Sequence, residues 1–395
     1  MDSKRKRYVA LAFISLAWLI IFIGRVTAPT LLKDIISDLN ITSYQAGWAM
    51  TALWLFYGIM QFPGGALSDA KGRKNVIILS LILFGISVIL ISFSFNYIML
   101  VITFSILGFG AGFLPSASLT MISEIFGPKK GKALGIRSAV TSLSGLVPFA
   151  LPFITLIIDW RGVFVILGII AFVIAFLFYN FVEESLKERE SRDHLDSIKM
   201  GIKGLLEPNI SLMFLVNLIV SFTWIGMMSW FPTYIQDAKG FGKFWASALY
   251  AVILTGGLII KPILGHISDK VNKLFLMLVI LINAAVAIYL LTISTSIIHL
   301  AIVSLLIAQT SAFYPIRTSY VMDIWHSKEA GTKYGVFRTL IIILASPISA
   351  VIGWTKEVYT FDAAILLVGV GLILGSVLIS IKIILNRCGF RENKC

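Results

Sequence analysis

"GGALSDAKGRKNV", Gly64–Val76, and "GHISDKVNK", Gly265–Lys273, write one short polar phrase into two long apolar stretches. Each sets an aspartate four residues after a glycine and follows it with basic residues. Gly65 and Gly265 stand 200 residues apart, and so do Asp69 and Asp269. The echo runs on: Pro115 is answered by Pro315, Gly135 by Gly335, and "APTLLKD" (28–34) by "FPTYIQD" (231–237). A repeat of this size in an apolar chain points to two packed bundles with a site at their interface, near the middle of a membrane.

Composition leads to the same place. Of 395 residues, 58% are hydrophobic and 13% charged, where soluble domains carry about 25% charged residues. Apolar runs near 20 residues recur along the chain, each long enough to cross a hydrocarbon core about 30 Å thick. They are continuous rather than alternating, which argues against a transmembrane β-barrel. Twelve spans are expected, approximately at 8–32, 44–67, 75–95, 97–122, 133–157, 161–182, 209–234, 245–267, 273–294, 297–324, 333–355 and 361–385. A mixed-charge stretch at 183–208 divides them six and six and reads as a solvated linker with some amphipathic helix. The expected architecture is all-α: an N-terminal six-helix bundle over 1–182, the linker, and a C-terminal six-helix bundle with a short tail over 209–395.

The formal charge of +13 invites a nucleic-acid reading, but its distribution is a topology signal. An even number of spans puts both termini on one side. That side carries 23 of the 33 lysines and arginines; five lie on the other side and five within spans. The positive-inside rule then places both termini in the cytoplasm of a protein of the plasma membrane. The apolar run after the basic head "MDSKRKR" is too long for a signal-peptide core and reads as the first span. The only cysteines, Cys388 and Cys395, fall in the tail and imply no structural disulfide. The four histidines (194, 266, 299, 326) make no metal-ligand spacing, and "GFGAG" (108–112) follows no strand, so it reads as a helix-packing stretch rather than a nucleotide loop. No cofactor is expected.

Over essentially its whole length the sequence resembles the major facilitator superfamily. The motif that family carries between spans 2 and 3, G-x-L-a-D-r-x-G-r-k, is matched by Gly65-Ala66-Leu67-Ser68-Asp69-Ala70-Lys71-Gly72-Arg73-Lys74, with Ala70 where a basic residue is common. In the second half Gly265, Asp269 and Lys270 match, while Asn272 and Lys273 replace the Gly-Arg pair. The resemblance implies two bundles that rock about a central cavity and expose it to each face in turn. Arg25, 44 residues before Asp69, and Trp230-Phe231-Pro232-Thr233-Tyr234 in span 7 look like the organophosphate and organic-anion symporter branches, whose first-span arginine binds the substrate's anionic group. The organophosphate pattern has a second arginine six residues before that Trp; here Trp224 stands there. The Arg…Glu pair of the sialin-like fourth span is also missing. Both departures count against phosphate-ester specificity.

Five basic residues lie within spans: Arg25, Arg137, Lys261, Arg317 and Arg338. A cation inside the hydrocarbon layer needs a cavity, a partner or a route to the interface. Arg25 lies about 10 Å inside the outer end of its span, counted at 1.5 Å per residue; it is the expected substrate anchor, with an ion pair to Asp34 or Asp159, or snorkelling outward, as the structural alternative. Lys261 and Gln61 sit about two turns above Asp269 and Asp69. Arg317 follows Tyr314-Pro315, where a proline can open the helix beside a site. Tyr57, Gln61, Trp224, Lys261, Tyr314 and Arg317 complete the candidate substrate set. Asp69, Arg73 and Asp269 are the candidate cytoplasmic latch, a carboxylate at a helix end able to bind amides of a neighbouring helix and to pair with Arg73. Glu124, Arg137, Asp323 and Arg338 join the candidate gate, as cytoplasmic salt bridges or snorkelling side chains.

No carboxylate falls near the middle of a span, so the cavity reads as net positive and its substrate as an anion that brings the countercharge. The expectation is a monomeric secondary transporter of a small organic anion, with a coupling proton or counter-substrate as possible partner. Two other readings stand beside it: a multidrug or neutral-solute porter of the same fold, with Arg25 structural, and a non-transporting membrane sensor. No nucleophile–base pair or metal cluster marks an enzyme.

Overall fold

The computed structural model describes residues 3–185, 194–325 and 330–392. His326, Cys395 and linker residues 186–193 lie outside them. The described chain is almost wholly helical. Ten stretches are long and apolar enough to cross a membrane. One of these, Tyr97–Ile154, holds two successive spans, Tyr97–Phe126 and the broken helix that begins at Lys130. Ser43–Lys71, 29 residues long, is a further span. Twelve spans result among the described residues, each overlapping an expected one, and they form two pseudo-symmetric six-helix bundles. The face that carries both chain ends is called the terminal face below, and the other the opposite face.

Inside a bilayer no water can bond the backbone, so every span closes its own hydrogen bonds. The ends are fixed by local chemistry. Thr42 and Gln45 form a reciprocal capping box at the start of span 2, and Asn96, Asp159 and Asn272 accept amide hydrogens at the starts of spans 4, 6 and 9. Prolines mark the interruptions. Span 5 passes through a 3-10 turn at Leu143–Leu146 just before Pro148. Span 10 does so at Gln309–Ala312, one turn ahead of Pro315 rather than after it. The pyrrolidine ring crowds the carbonyl four residues earlier, so the helix yields upstream of the proline.

Helices in lipid are held by close packing rather than by the hydrophobic effect. "GFGAG" is where that matters most. Gly108 and Gly112 face span 2, where a Cβ would stand 2.1 Å from the Leu53 carbonyl oxygen and 2.7 Å from Met60 Cβ; Gly110 faces span 3 at 2.9 Å from Phe84 N. Large apolar side chains on spans 3, 6, 9 and 12, such as Ile86, Phe176, Val286 and Ile373, are exposed and give these spans surfaces suited to lipid.

Candidate functional site

The opposite face is sealed between the bundles. Gly47 of span 2 lies against span 11, where a Cβ would stand 2.5 Å from the Ser349 carbonyl oxygen; Gly353 of span 11 returns the contact at 2.4 Å from the Ser43 carbonyl oxygen. Thr51 Oγ1 donates to the Ser346 carbonyl and accepts from the Ala350 amide, both at 3.2 Å. Trp54 Nε1 donates to Ser229 Oγ at 3.2 Å, and Ser229 shares a 2.9 Å hydrogen bond with Ser349. At the rim, Lys33–Asp237 and Lys243–Asp34 ion pairs, each 2.6 Å, join the halves, and Phe244 packs on Phe149 and Phe153 at 5.5 Å.

Arg25 lies directly beneath this seal. Its Cζ sits 4.2 Å from the Tyr57 ring centroid, 4.6 Å from Trp54 and 5.2 Å from Phe22. The residue is 9% exposed and its Nε is buried without a hydrogen-bond partner. Neither proposed carboxylate reaches it: Asp34 is held by Lys243 and Asp159 caps span 6. Among the described residues Arg25 makes no ion pair. The aromatic faces offer cation–π attraction, and the unpartnered Nε leaves the guanidinium with a donor for an acid group.

Toward the terminal face the halves part. A cavity of about 360 Å³ opens between spans 2, 4 and 11, lined by Gln61, Gly65, Asp69, Ser116, Gly335 and Arg338 among others. Gly135, Gly265 and Gly335 have nothing within 4 Å of a virtual Cβ. Gln61 is 6% exposed and its Nε2 has no partner. Arg137 lays its Cζ 4.5 Å over the Trp18 ring, and Trp18 is held by a 2.8 Å hydrogen bond to Ser118. Neither Arg137 nor Arg338 forms an ion pair among the described residues, so the salt bridges expected with Glu124 and Asp323 are not made. Those carboxylates are already engaged elsewhere.

Glu124 accepts from Arg73, 3.2 Å from Nη2, and Arg73 also bonds Asp69 and Ser68. In the second half Lys273 pairs with Asp323 at 2.5 Å and donates to Ser319. The latch residues therefore close on their own bundles in this conformation, and Asp269 has no ion pair among the described residues. The amides that open span 3 are taken by Glu184, whose carboxylate accepts from Arg73 N and Lys74 N at 3.0 Å. Gly72 makes room for it: φ is +99°, and a Cβ would lie 2.3 Å from Glu184 Oε2. Ser185 adds a 2.6 Å bond to Glu124. This clamp was hidden in the linker's acidic run, whose one usable signal is an acidic pair one residue past the end of span 6.

The remaining candidates are dispersed. Arg317, 3% exposed, is enclosed within the second bundle by Tyr314, Tyr334 and Phe337 at 5.3–5.7 Å; its surroundings are separate from those of Arg25. Trp224 stands edge-on to Tyr314 at 6.2 Å. Lys261 is exposed on span 8 and lies along Gly257, whose virtual Cβ is 3.2 Å from Lys261 Cε. The residues that sequence reasoning missed, Ser229, Ser349 and Thr51, are small hydroxyls in apolar helices, and nothing in the linear pattern distinguishes them from ordinary packing residues.

The sequence profile described as Major Facilitator Superfamily matches residues 14–350. The chain is 24% identical over 286 residues to the "Probable sulfoacetate transporter SauU" of Cupriavidus necator, covering 68% of this chain and 66% of that protein. It is 26% identical over 288 residues to the "Hexuronate transporter" of Bacillus subtilis, covering 69% and 67%. The matches thus span about two-thirds of the length of these relatives. In fold it is similar to a crystal structure of a bacterial homolog to the human lysosomal transporter Spinster in an inward-facing and unoccupied conformation, with a TM-score of 0.81, 16% identity, and coverage of 96% and 97%.

Proposed function

The chain belongs to the Major Facilitator Superfamily, and from that premise we propose that it is a secondary transporter moving a small organic anion by alternating access, with Arg25 as the anchor. The observation that carries this reading is a buried arginine, without an ion pair among the described residues, set directly against the seal between the halves. A desolvated cation without a counterion is strongly disfavoured, and an anionic substrate relieves that penalty on arrival. Trp54 links binding to the seal: its ring stacks on Arg25 while its Nε1 bonds Ser229 of the other half. The relatives named for sulfoacetate and hexuronate, both organic acids, support the same class.

The terminal face is assigned to the cytoplasm of a cell's plasma membrane, because it gathers most of the lysines and arginines; the conformation is then inward-open. The bundles comprise 1–182 and 209–395. Asp69, Arg73 and Glu124, with Asp269 and Asp323 opposite, serve as the latch that would cross between halves when this face closes.

The test is ligand-dependent stability of purified wild type beside Arg25→Ala. Organic acids, neutral sugars and lipophilic cations would each be offered. A ligand at about 100 times its dissociation constant adds about 2.7 kcal/mol to the folded state. Organic acids stabilise wild type, and a folded Arg25→Ala loses the effect. Neutral sugars or lipophilic cations that stabilise both proteins alike would replace this reading with that of a multidrug or neutral-solute porter.

A further inference from the structure

Arg338 lines the cavity, and Arg137 lies over Trp18, which bonds Ser118 beside the lining residues Ser116 and Leu119; neither arginine forms an ion pair among the described residues. Trp18, which carries Arg137, lies on span 1 seven residues from Arg25, two turns or about 10 Å along the helix. Both side chains therefore lie on one stripe of span 1, Arg25 at the sealed end and Arg137 toward the open end. On span 2, Tyr57 contacts Arg25, and Gln61, one turn further toward the terminal face, lines the cavity together with Arg338. The one acidic side chain lining this cavity, Asp69, is already bonded to Arg73. Gln61 supplies the independent sign of a ligand: an amide more than nine-tenths buried, lining the cavity, with its Nε2 donor unpartnered. The carboxylates first considered as partners of the two arginines, Glu124 and Asp323, are held by Arg73 and Lys273.

We propose that Arg137, Arg338 and Gln61 form a second acid-binding subsite about two helical turns from Arg25, and that the carried anion is a diacid spanning the two. This inference rests on the reading of Arg25 as an anion anchor. One acid group is held by the guanidinium beneath the seal; the second lies between arginines contributed by different bundles. Arg137 belongs to the first bundle and Arg338 to the second, so a bridging acid group neutralises a repulsion that otherwise holds the terminal face open. The diacid thereby favours closure of that face, whereas a monoacid bound at Arg25 leaves the repulsion in place.

The experiment compares a six-carbon aldaric acid, with a carboxylate at each end, and the matching aldonic acid, with one, by titration calorimetry on the full-length protein. Wild type binds the diacid about tenfold or more tightly than the monoacid, as a further charge-assisted hydrogen-bonded contact implies. In Arg338→Gln and Arg137→Gln the diacid's advantage falls to about threefold or less, and Arg338→Lys regains part of it. Equal affinity for the two acids in wild type, or an advantage that survives both glutamine substitutions, would overturn the subsite while leaving the Arg25 anchor standing. If neither acid nor any other organic anion binds wild type, the anchor itself fails and the subsite with it. The wild-type ratio alone decides the question should a variant fail to fold.

Discussion

The two faces of the cleft are closed and opened by different chemistry. On the opposite face the halves meet backbone to backbone: Gly47 and Gly353 let spans 2 and 11 touch at distances no side chain could occupy, and Thr51, Trp54, Ser229 and Ser349 stitch the contact with hydrogen bonds. On the terminal face the charged residues are abundant, yet Arg73–Glu124 and Lys273–Asp323 each stay within one bundle, and Gly135, Gly265 and Gly335 face open space. The sealed face is uncharged at its centre and ionic only at its rim. The open face is ionic throughout. Short-range packing is all-or-none and suits a tight plug beside a substrate site, whereas ion pairs can exchange partners as the halves move.

The strongest way to break that contrast is to put a side chain into the plug. Gly353→Val places a Cβ where the Ser43 carbonyl oxygen lies 2.4 Å away, with Trp230 at 3.1 Å. Neither neighbour is a flexible chain end, so the halves must separate. Overpacking of this kind is worth about 1–3 kcal/mol, which converts to a shift of about fivefold to more than a hundredfold toward opening of that face. A reporter cysteine at Ala350, 4% exposed in the closed seal, with Cys388 and Cys395 replaced by serine, should react with a membrane-impermeant maleimide correspondingly faster. An unchanged rate in a folded variant would show that spans 2 and 11 do not form the plug.

A gentler change separates the seal from the site. Trp54→Phe keeps an aromatic face over Arg25 but removes the indole hydrogen bond to Ser229. A buried hydrogen bond contributes about 0.5–1.5 kcal/mol, so labelling at position 350 should rise about twofold to tenfold. Affinity for an organic acid should fall less than in Arg25→Ala. Loss of binding as large as in Arg25→Ala would mean that the indole nitrogen, not the ring face, serves the site.

How far the sequence foretells this contrast follows from the length scale of each feature. Twelve spans, the six-and-six division and the repeat are written in runs of 20 residues and in a 200-residue echo, and they are legible without coordinates. Arg25 is legible because a lone charge in an apolar run demands a reason. The plug is not: Gly47, Ser229 and Ser349 are small residues of a kind found throughout these spans, and only the pairing of span 2 with span 11 gives them a role. Glu184 was missed for the opposite reason, since an acid in a charged linker looks solvated until the chain is seen to turn back onto span 3. Arg137 and Arg338 were legible as intramembrane cations, but their closeness to helix ends suggested partners that Arg73 and Lys273 had already taken.

The smallest expected effect belongs to the rim. Lys243 pairs with Asp34 at 2.6 Å and donates to Thr155 at 3.0 Å, drawing the start of span 8 onto the first bundle. Its side chain and that of Asp34 are 25% and 37% exposed, so water and salt screen the attraction. Pairs of this kind contribute about 0.2–1 kcal/mol, and Lys243→Gln should raise labelling at position 350 by no more than about fivefold. The sign of the effect is fixed, since removing a contact between halves can only favour separation of that face. Its cause is fixed by salt: the Debye length shrinks to about 3 Å at 1 M ionic strength, so wild type and Lys243→Gln should converge there, while Gly353→Val should keep its advantage. A Lys243→Gln effect that persists undiminished at high salt would make the rim contact a packing contact like the plug, and the division between an uncharged seal and an ionic margin would have to be redrawn.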